Sequence, residues 1–229
     1  SKERNSLAQR KRFLMDLLTE SFRAQRNDGG RVIMKLKTKN NHHAAQPVPS
    51  KYSSAYVGLS NDRAIFLAED FTKEVGSAVS ALLLYYDSLS HTDDIVIYIH
   101  SNGGDASALS NIYDVIQMIS APVKTVCLGK CYSAGAVLLA CGSIGNRFIM
   151  PNAEVMIHGI QFIFPTPQDP SQVDQENYLS YLNKSNDSIM KILAKQTGHP
   201  LQKVKDDCKQ DLWMSAKEAL NYGLVDHIL

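Results

Sequence analysis

Ile95-Val96-Ile97-Tyr98-Ile99 runs through His100 into Ser101-Asn102-Gly103-Gly104-Asp105. Five successive apolar residues, three of them β-branched isoleucines, predict a strand buried on both faces. The Gly-Gly pair predicts a tight turn at its end, and a helix follows to about Ile119. The same pattern repeats on either side. Ala64-Ile65-Phe66-Leu67 reads as a short strand, and residues 72–89 as a helix through Val75, Val79, Leu82 and Leu83. Lys124 to Leu128 reads as the next strand. It leads into Gly129-Lys130-Cys131-Tyr132-Ser133-Ala134-Gly135-Ala136 and the apolar helix Val137-Leu138-Leu139-Ala140. Short strands follow at Arg147 to Met150 and Val155 to Ile157. Strands that alternate with helices predict an α/β fold with crossover connections.

The C-terminal part is helical. A long helix is expected from about 174 to 197, with Tyr178, Leu182, Ile189 and Ile192 at helical spacing and Ser185 in one gap. Gly198-His199-Pro200 ends it and opens a short helix. Ser215-Ala216-Lys217-Glu218 has the form of a capping box, with Gly223 as the helix stop. Residues 159–173 break the pattern with Phe162, Phe164 and prolines 165, 167 and 170.

The N-terminal fifth differs in composition. Residues 1–50 carry eleven Lys/Arg and four acidic residues, a net of +7, against +1 for the whole chain, so the rest is acidic. Such a balance does not describe a general nucleic-acid binder. Residues 5–23 read as a basic amphipathic helix through Leu7, Leu14, Leu17, Leu18 and Phe22, stopped by Asn27-Asp28-Gly29-Gly30. Residues 36–51 read as a polar loop, in which His42-His43 is taken as solvated rather than metal-binding. The expected organisation is a basic extension over 1–51 and a globular domain over 52–229. No apolar run approaches the ~20 residues of a membrane span, and no secretory signal is expected at the N-terminus. Cys127, Cys131, Cys141 and Cys208 have no metal or redox spacing. They read as free, buried thiols in a reducing compartment.

Chemistry is expected at the strand ends. Ser133 stands before an apolar helix, where the field of the helix N-terminus favours a nucleophilic oxygen. By itself it reads more simply as an N-cap. Gly103-Gly104 can offer backbone N–H groups to an oxyanion. His158 ends the strand Val155-Met156-Ile157 and is the candidate base. Asp206, Asp207 and Asp211 are candidates for the carboxylate that orients it. Asp211 is preferred, because Leu212-Trp213-Met214 would anchor it against the core. The class of reaction suggested is acyl-transfer hydrolysis.

Five segments occur in order: Ser101-Asn102-Gly103-Gly104; Tyr132-Ser133-Ala134-Gly135-Ala136; Asn146-Arg147-Phe148; Pro151-Asn152-Ala153-Glu154-Val155-Met156-Ile157-His158; and the run from Asp211 to Asp226. Together they closely resemble the ClpP family, the proteolytic subunits of the ATP-dependent Clp protease (peptidase S14), over about residues 56–229. The resemblance implies a ClpP/crotonase-like spiral of βαβ units with a protruding handle helix, the handle lying at about 159–197. It implies a catalytic triad of Ser133, His158 and Asp211, with an oxyanion hole from the N–H groups of Gly104 and Ala134. It implies no metal or organic cofactor in this subunit, ATP being used by an AAA+ Clp unfoldase partner. The implied assembly is two stacked rings, usually heptameric, that take in unfolded polypeptides. The alternative is a weakly active or structural Clp subunit in a mixed ring with a sibling subunit. Nucleic acid and membrane are not expected as partners. The expected location is the cytoplasm, with plastid stroma or mitochondrial matrix as alternatives.

The chain departs from the family in four places. The family's Ser-Pro-Gly-Gly is Ser101-Asn102-Gly103-Gly104. Its His-Gln-Pro is His158-Gly159-Ile160, followed by an insertion of about four residues. The arginine before the family's catalytic aspartate is Gln210. Residues 1–50 are longer and more basic than the usual axial segment. Two other classes remain open. Crotonase-like acyl-CoA enzymes share the fold and the glycine turn but use carboxylates. Signal-peptide peptidases use a Ser-Lys pair, for which Lys130 stands near Ser133.

Overall fold

The computed structural model describes the strands Phe22–Arg26 and Val32–Leu36, residue 59, and residues 62–161 and 175–229. The chain divides into two compact units, Ser1–Ser50 and Lys51–Leu229.

In the first unit, β1 (Phe22–Arg26) pairs antiparallel with β2 (Val32–Leu36), Arg26 opposite Val32. Strand therefore replaces the end of the helix expected over 5–23. The physical reason lies in the connection. Asn27-Asp28-Gly29-Gly30 is as good a hairpin turn as a helix stop, and the β-rich run Val32-Ile33-Met34 follows it. The rest of that helix, the polar loop and His42-His43 lie outside the described residues.

The second unit alternates strand and helix. β3 (Ala64–Leu67) is followed by α1 (Lys73–Leu89), whose first turn is capped by Thr72 Oγ1 accepting from the Val75 N–H at 3.2 Å. β4 (Ile95–Ser101) leads into α2 (Ala106–Met118), capped by Asp105. β5 (Val123–Tyr132) leads into α3 (Ala134–Ala140), and β6 (Arg147–Ile149) and β7 (Glu154–Ile157) follow. α4 (Gln175–Thr197) and α5 (Leu201–Asp207) precede β8 (Leu212–Ser215), α6 (Ala216–Tyr222) and β9 (His227–Ile228). The Ser215–Glu218 capping box opens α6, and Gly223 follows its last turn. This is the expected α/β architecture.

β3, β4, β5, β6 and β9 form a parallel sheet in that order. Ile95, Ile97 and Ile99 are fully buried and share one core with Leu83 of α1, Ile112 of α2 and Leu138 of α3. α3 is buried along its whole length, so its seven residues need no polar face.

β5 is where the sheet divides. Sequence alone ends this strand at Leu128, but it runs on to Tyr132. Its first half pairs with β6, Cys127 opposite Ile149, and its last three residues pair with β7, Tyr132 opposite Met156. Against β4, Ile99 faces Cys127 but Ser101 faces Cys131, so β5 carries two extra residues there. Gly129, inside that bulge, has φ +72, and a Cβ on it would lie 3.0 Å from His100 Nδ1. A residue with a side chain does not fit that bend cheaply. β8 adds antiparallel to β7 and completes the second branch.

Candidate active site

The divided sheet sets the register of the site. Tyr132 is paired with Met156, and Ile157 with Leu212. The next residues outward are Ser133 after β5, His158 after β7 and Asp211 just before β8. Three residues spread over 79 positions of the chain thus emerge at neighbouring strand ends. The Ser133 N–H extends the ladder, donating to the Met156 carbonyl at 2.8 Å.

Ser133 occupies the N-cap position of α3 with φ 52 and ψ −120, and its side chain makes no cap hydrogen bond. The simple capping role therefore does not describe it. A non-glycine residue in this conformation stores about 1–3 kcal/mol of strain. It is the sharp strand-to-helix turn that lifts a hydroxyl clear of its own backbone. Ser133 and His158 line one cleft of about 830 Å³ with Gly104, Ala134, Met156 and Ile160. Lys130 does not line it and donates instead to Asn102 Oδ1 at 2.7 Å, so the lysine nearest Ser133 in sequence is not directed at it.

His158 Nδ1 stands 3.5 Å from Asp211 Oδ1, with the imidazole 12% and the carboxylate 45% exposed. That is longer than a well-formed N–H···O bond of roughly 2.7–3.2 Å. Among the described residues, no hydrogen bond joins Ser133 to His158. The other two candidate carboxylates are engaged elsewhere. Asp206 pairs with Lys209 at 2.7 Å. Asp207 accepts from Lys203 at 2.6 Å and from the Tyr222 hydroxyl at 2.7 Å. Asp211 is not anchored by a buried tryptophan, as the sequence would suggest. Met214 is buried, but Trp213 is 53% exposed, because β8 is an edge strand whose residues alternate. Pairing with β7, rather than a buried Trp213, places Asp211.

The glycine turn is built from β4, the α2 terminus and a single residue after β3. Phe71 donates its N–H to the Gly103 carbonyl at 2.7 Å and accepts from the Asp105 N–H at 2.8 Å. The Gly103 N–H is taken by Ser101 Oγ at 3.1 Å. Among the described residues, the N–H groups of Gly104 and Ala134 have no protein acceptor. A Cβ on Gly103 would lie 2.7 Å from the Ser133 Cβ and 2.9 Å from the Ala134 nitrogen, so the turn and the serine elbow are in contact. Helix dipole and free N–H groups together favour a negative oxygen there.

Sequence reasoning missed Phe71, because a one-residue bridge leaves no periodic signal. It also missed Tyr181 and Ile189 of α4 as cleft residues, since helical spacing marks Ile189 only as part of an apolar face and does not mark Tyr181. Gly159 donates to the Cys208 carbonyl at 2.8 Å, and Ile160 to Asn186 Oδ1 at 2.9 Å. The segment after His158 is thereby tied to α4 and to the turn after α5. Gln210 is exposed. The insertion after Gln161 lies outside the described residues. A family model described as Clp protease matches residues 49–229, most of the chain and all of the site, and the protein belongs to the Clp protease family.

Proposed function

We propose that this chain is a serine endopeptidase subunit in which Ser133, His158 and Asp211 form the triad. The observation that carries the reading is the register across β5, β7 and β8, which brings all three residues to one edge of the sheet. His158 removes the Ser133 proton as Oγ attacks a peptide carbonyl. The Gly104 and Ala134 N–H groups take the charge that develops on the carbonyl oxygen. His158 then passes the proton to the leaving amine, and water releases the acyl-enzyme by the same route. Asp211 holds the imidazole in the tautomer that this sequence needs. The chemistry calls for no metal or organic cofactor. The substrates are unfolded polypeptides. They are delivered into stacked rings of this subunit by an ATP-driven unfoldase, as membership of the family suggests.

The parent protein is expected to hydrolyse a fluorogenic peptide and to be labelled by a serine-reactive phosphonate, and Ser133→Ala to do neither. Equal hydrolysis by Ser133→Ala would overturn the reading. The 3.5 Å His158–Asp211 separation, and the lack of a Ser133–His158 hydrogen bond among the described residues, favour a second form of it. In that form the triad tightens only in the assembled ring, with a sibling subunit if the ring is mixed. Catalytic hydrogen bonds are often long before substrate binds. Labelling that rises when native mass spectrometry shows assembly supports this form. Full labelling of the isolated subunit counts against it.

A further inference from the structure

Asn102 stands where the family has proline, and its amide is held at both ends. Its Nδ2 donates to Asp70 Oδ1 at 3.1 Å, and its Oδ1 accepts from Lys130 Nζ at 2.7 Å. The three residues come from three different segments. Asp70 precedes Phe71, whose backbone brackets Gly103 and Asp105. Asn102 belongs to the turn that presents Gly104. Lys130 sits in the two-residue bulge of β5, three residues before Ser133 and four before Ala134. One arm of the oxyanion site, Gly104, hangs on the first two segments, and the other, Ala134, on the third. Between the arms the β4–β5 ladder loses its register at the bulge, between Ile99 and Ser101. The Lys130–Asn102 bond crosses at this interruption of the ladder, and adds a side-chain tie to the packing of Gly103 against Ser133. The Lys130 ammonium also lies over the Tyr132 ring, 5.8 Å from its centroid, beside the residue that precedes the serine.

We propose that Lys130, acting through the Asn102 amide and the Asp70 carboxylate, positions the Gly104 and Ala134 N–H groups relative to each other. Lys130 is a positioning residue and does not touch substrate. The side-chain bracket does here what a rigid proline ring does in the family's turn. The inference rests on the serine-peptidase reading for its kinetic consequence, and on the fold alone for its structural one. Removing an oxyanion donor outright costs roughly 10²–10³ in kcat. Loosening the two donors should cost less, on the order of tenfold, with the cost falling on kcat because these contacts strengthen in the transition state.

The test compares Lys130→Met, Lys130→Arg, Asn102→Ala and the Lys130→Met/Asn102→Ala pair in the full chain. Two readouts are used: peptide-hydrolysis kinetics, and hydrogen exchange over residues 99–106 and 129–137. Lys130→Met and Asn102→Ala should each lower kcat about tenfold with KM within about twofold, and the pair should lose no more than either alone. Exchange in both segments should rise in these variants. Lys130→Arg, which keeps a donor for Asn102 Oδ1, should restore both readouts. The proposal is overturned if Lys130→Met leaves exchange unchanged. It is also overturned if Lys130→Arg is as impaired as Lys130→Met, or if the two single effects simply add. Failure of the peptidase reading would show separately, as hydrolysis that survives Ser133→Ala. Exchange would still report on the bracket in that case.

Discussion

At Ser133 the backbone conformation matters as much as the hydroxyl. With φ 52 the residue is held in a region that side chains disfavour, and Gly103 packs directly against it. Gly103→Ala would place a methyl group 2.7 Å from the Ser133 Cβ at a backbone φ of +99. The expected cost is about 2–4 kcal/mol of stability, from strain and overpacking together. Phosphonate labelling at Ser133 should be nearly abolished, even at temperatures where circular dichroism shows the variant folded. Undiminished labelling would show that the elbow tolerates displacement. Asp211→Asn leaves the backbone pairing with β7 intact and removes only the charge that faces His158 at 3.5 Å. We expect kcat to fall by roughly 10³-fold with little change in thermal midpoint. A loss of less than tenfold would assign the orienting role to another group.

The decisive element is β5. Its first half belongs to the large parallel sheet and its second half to the branch that carries His158 and Asp211. Gly129 marks the change, with its Cα hydrogen facing the His100 ring. His100 is itself held, Nδ1 lying 2.6 Å from the Leu128 carbonyl. Gly129→Ala should therefore cost about 1–3 kcal/mol. It should also slow Ser133 labelling, because the bend aims the last three residues of the strand. The check is a denaturant titration run beside the labelling assay. Destabilisation with labelling unchanged would mean that the branch is aimed by β7 instead. α6 plays a simpler part. Its capping box, with the Ser215 N–H donating to Glu218 Oε2 at 2.8 Å, ends β8 at Ser215.

Across the whole molecule, Arg147 ties together segments distant in sequence. Its side chain is 5% exposed and pairs with Asp226, Nη2 to Oδ1 at 2.7 Å. It also donates to the carbonyls of Gln196 and Gly223, each at 2.9 Å. One guanidinium thus joins β6, the end of α4, the end of α6 and the C-terminal tail. Burial pushes the Asp226 carboxyl up, but the Arg147 guanidinium and the N–H groups of Arg147 and Gly145 outweigh it, and the group titrates below its ordinary value. A depressed carboxyl contributes stability that is present above its unfolded-state pKa of about 3.9, and that is lost as pH falls through the lower folded value. Asp226→Asn should cost about 3 kcal/mol at pH 7, because it leaves a buried guanidinium unpaired. The difference from the parent should shrink as the parent is acidified below about pH 4. Urea titrations of both proteins across that range provide the check. A difference that stays constant down to pH 2 would mean that the charge on Asp226 is not what stabilises it. The four thiols are also a property of the whole core. All are free and buried, and burial pushes Cys141 and Cys208 up to about 12.

The periodic elements were legible in the amino-acid sequence. β3 has the expected limits, α1, α2 and α4 differ from expectation by a residue or two, and the capping box of α6 forms as its spacing implies. These features depend on neighbours a few positions apart, so burial period and capping chemistry record them locally. Ser133 and His158 could be marked as strand-end residues for the same reason. Pairing between strands could not be read, because register is decided by which distant segments pack together. The course of β5 past Leu128, the two-residue strand β9, the exposed face of Trp213 and the strand at Phe22–Arg26 all belong to that class. The choice among Asp206, Asp207 and Asp211 belongs there too, since only the antiparallel register of β8 on β7 sets one of them opposite His158. Asn102 reads in the sequence as the loss of a rigid residue. The tertiary structure alone brings Asp70 and Lys130 to either end of its amide, because bonds between residues 28 and 32 positions apart exist only after the sheet has formed.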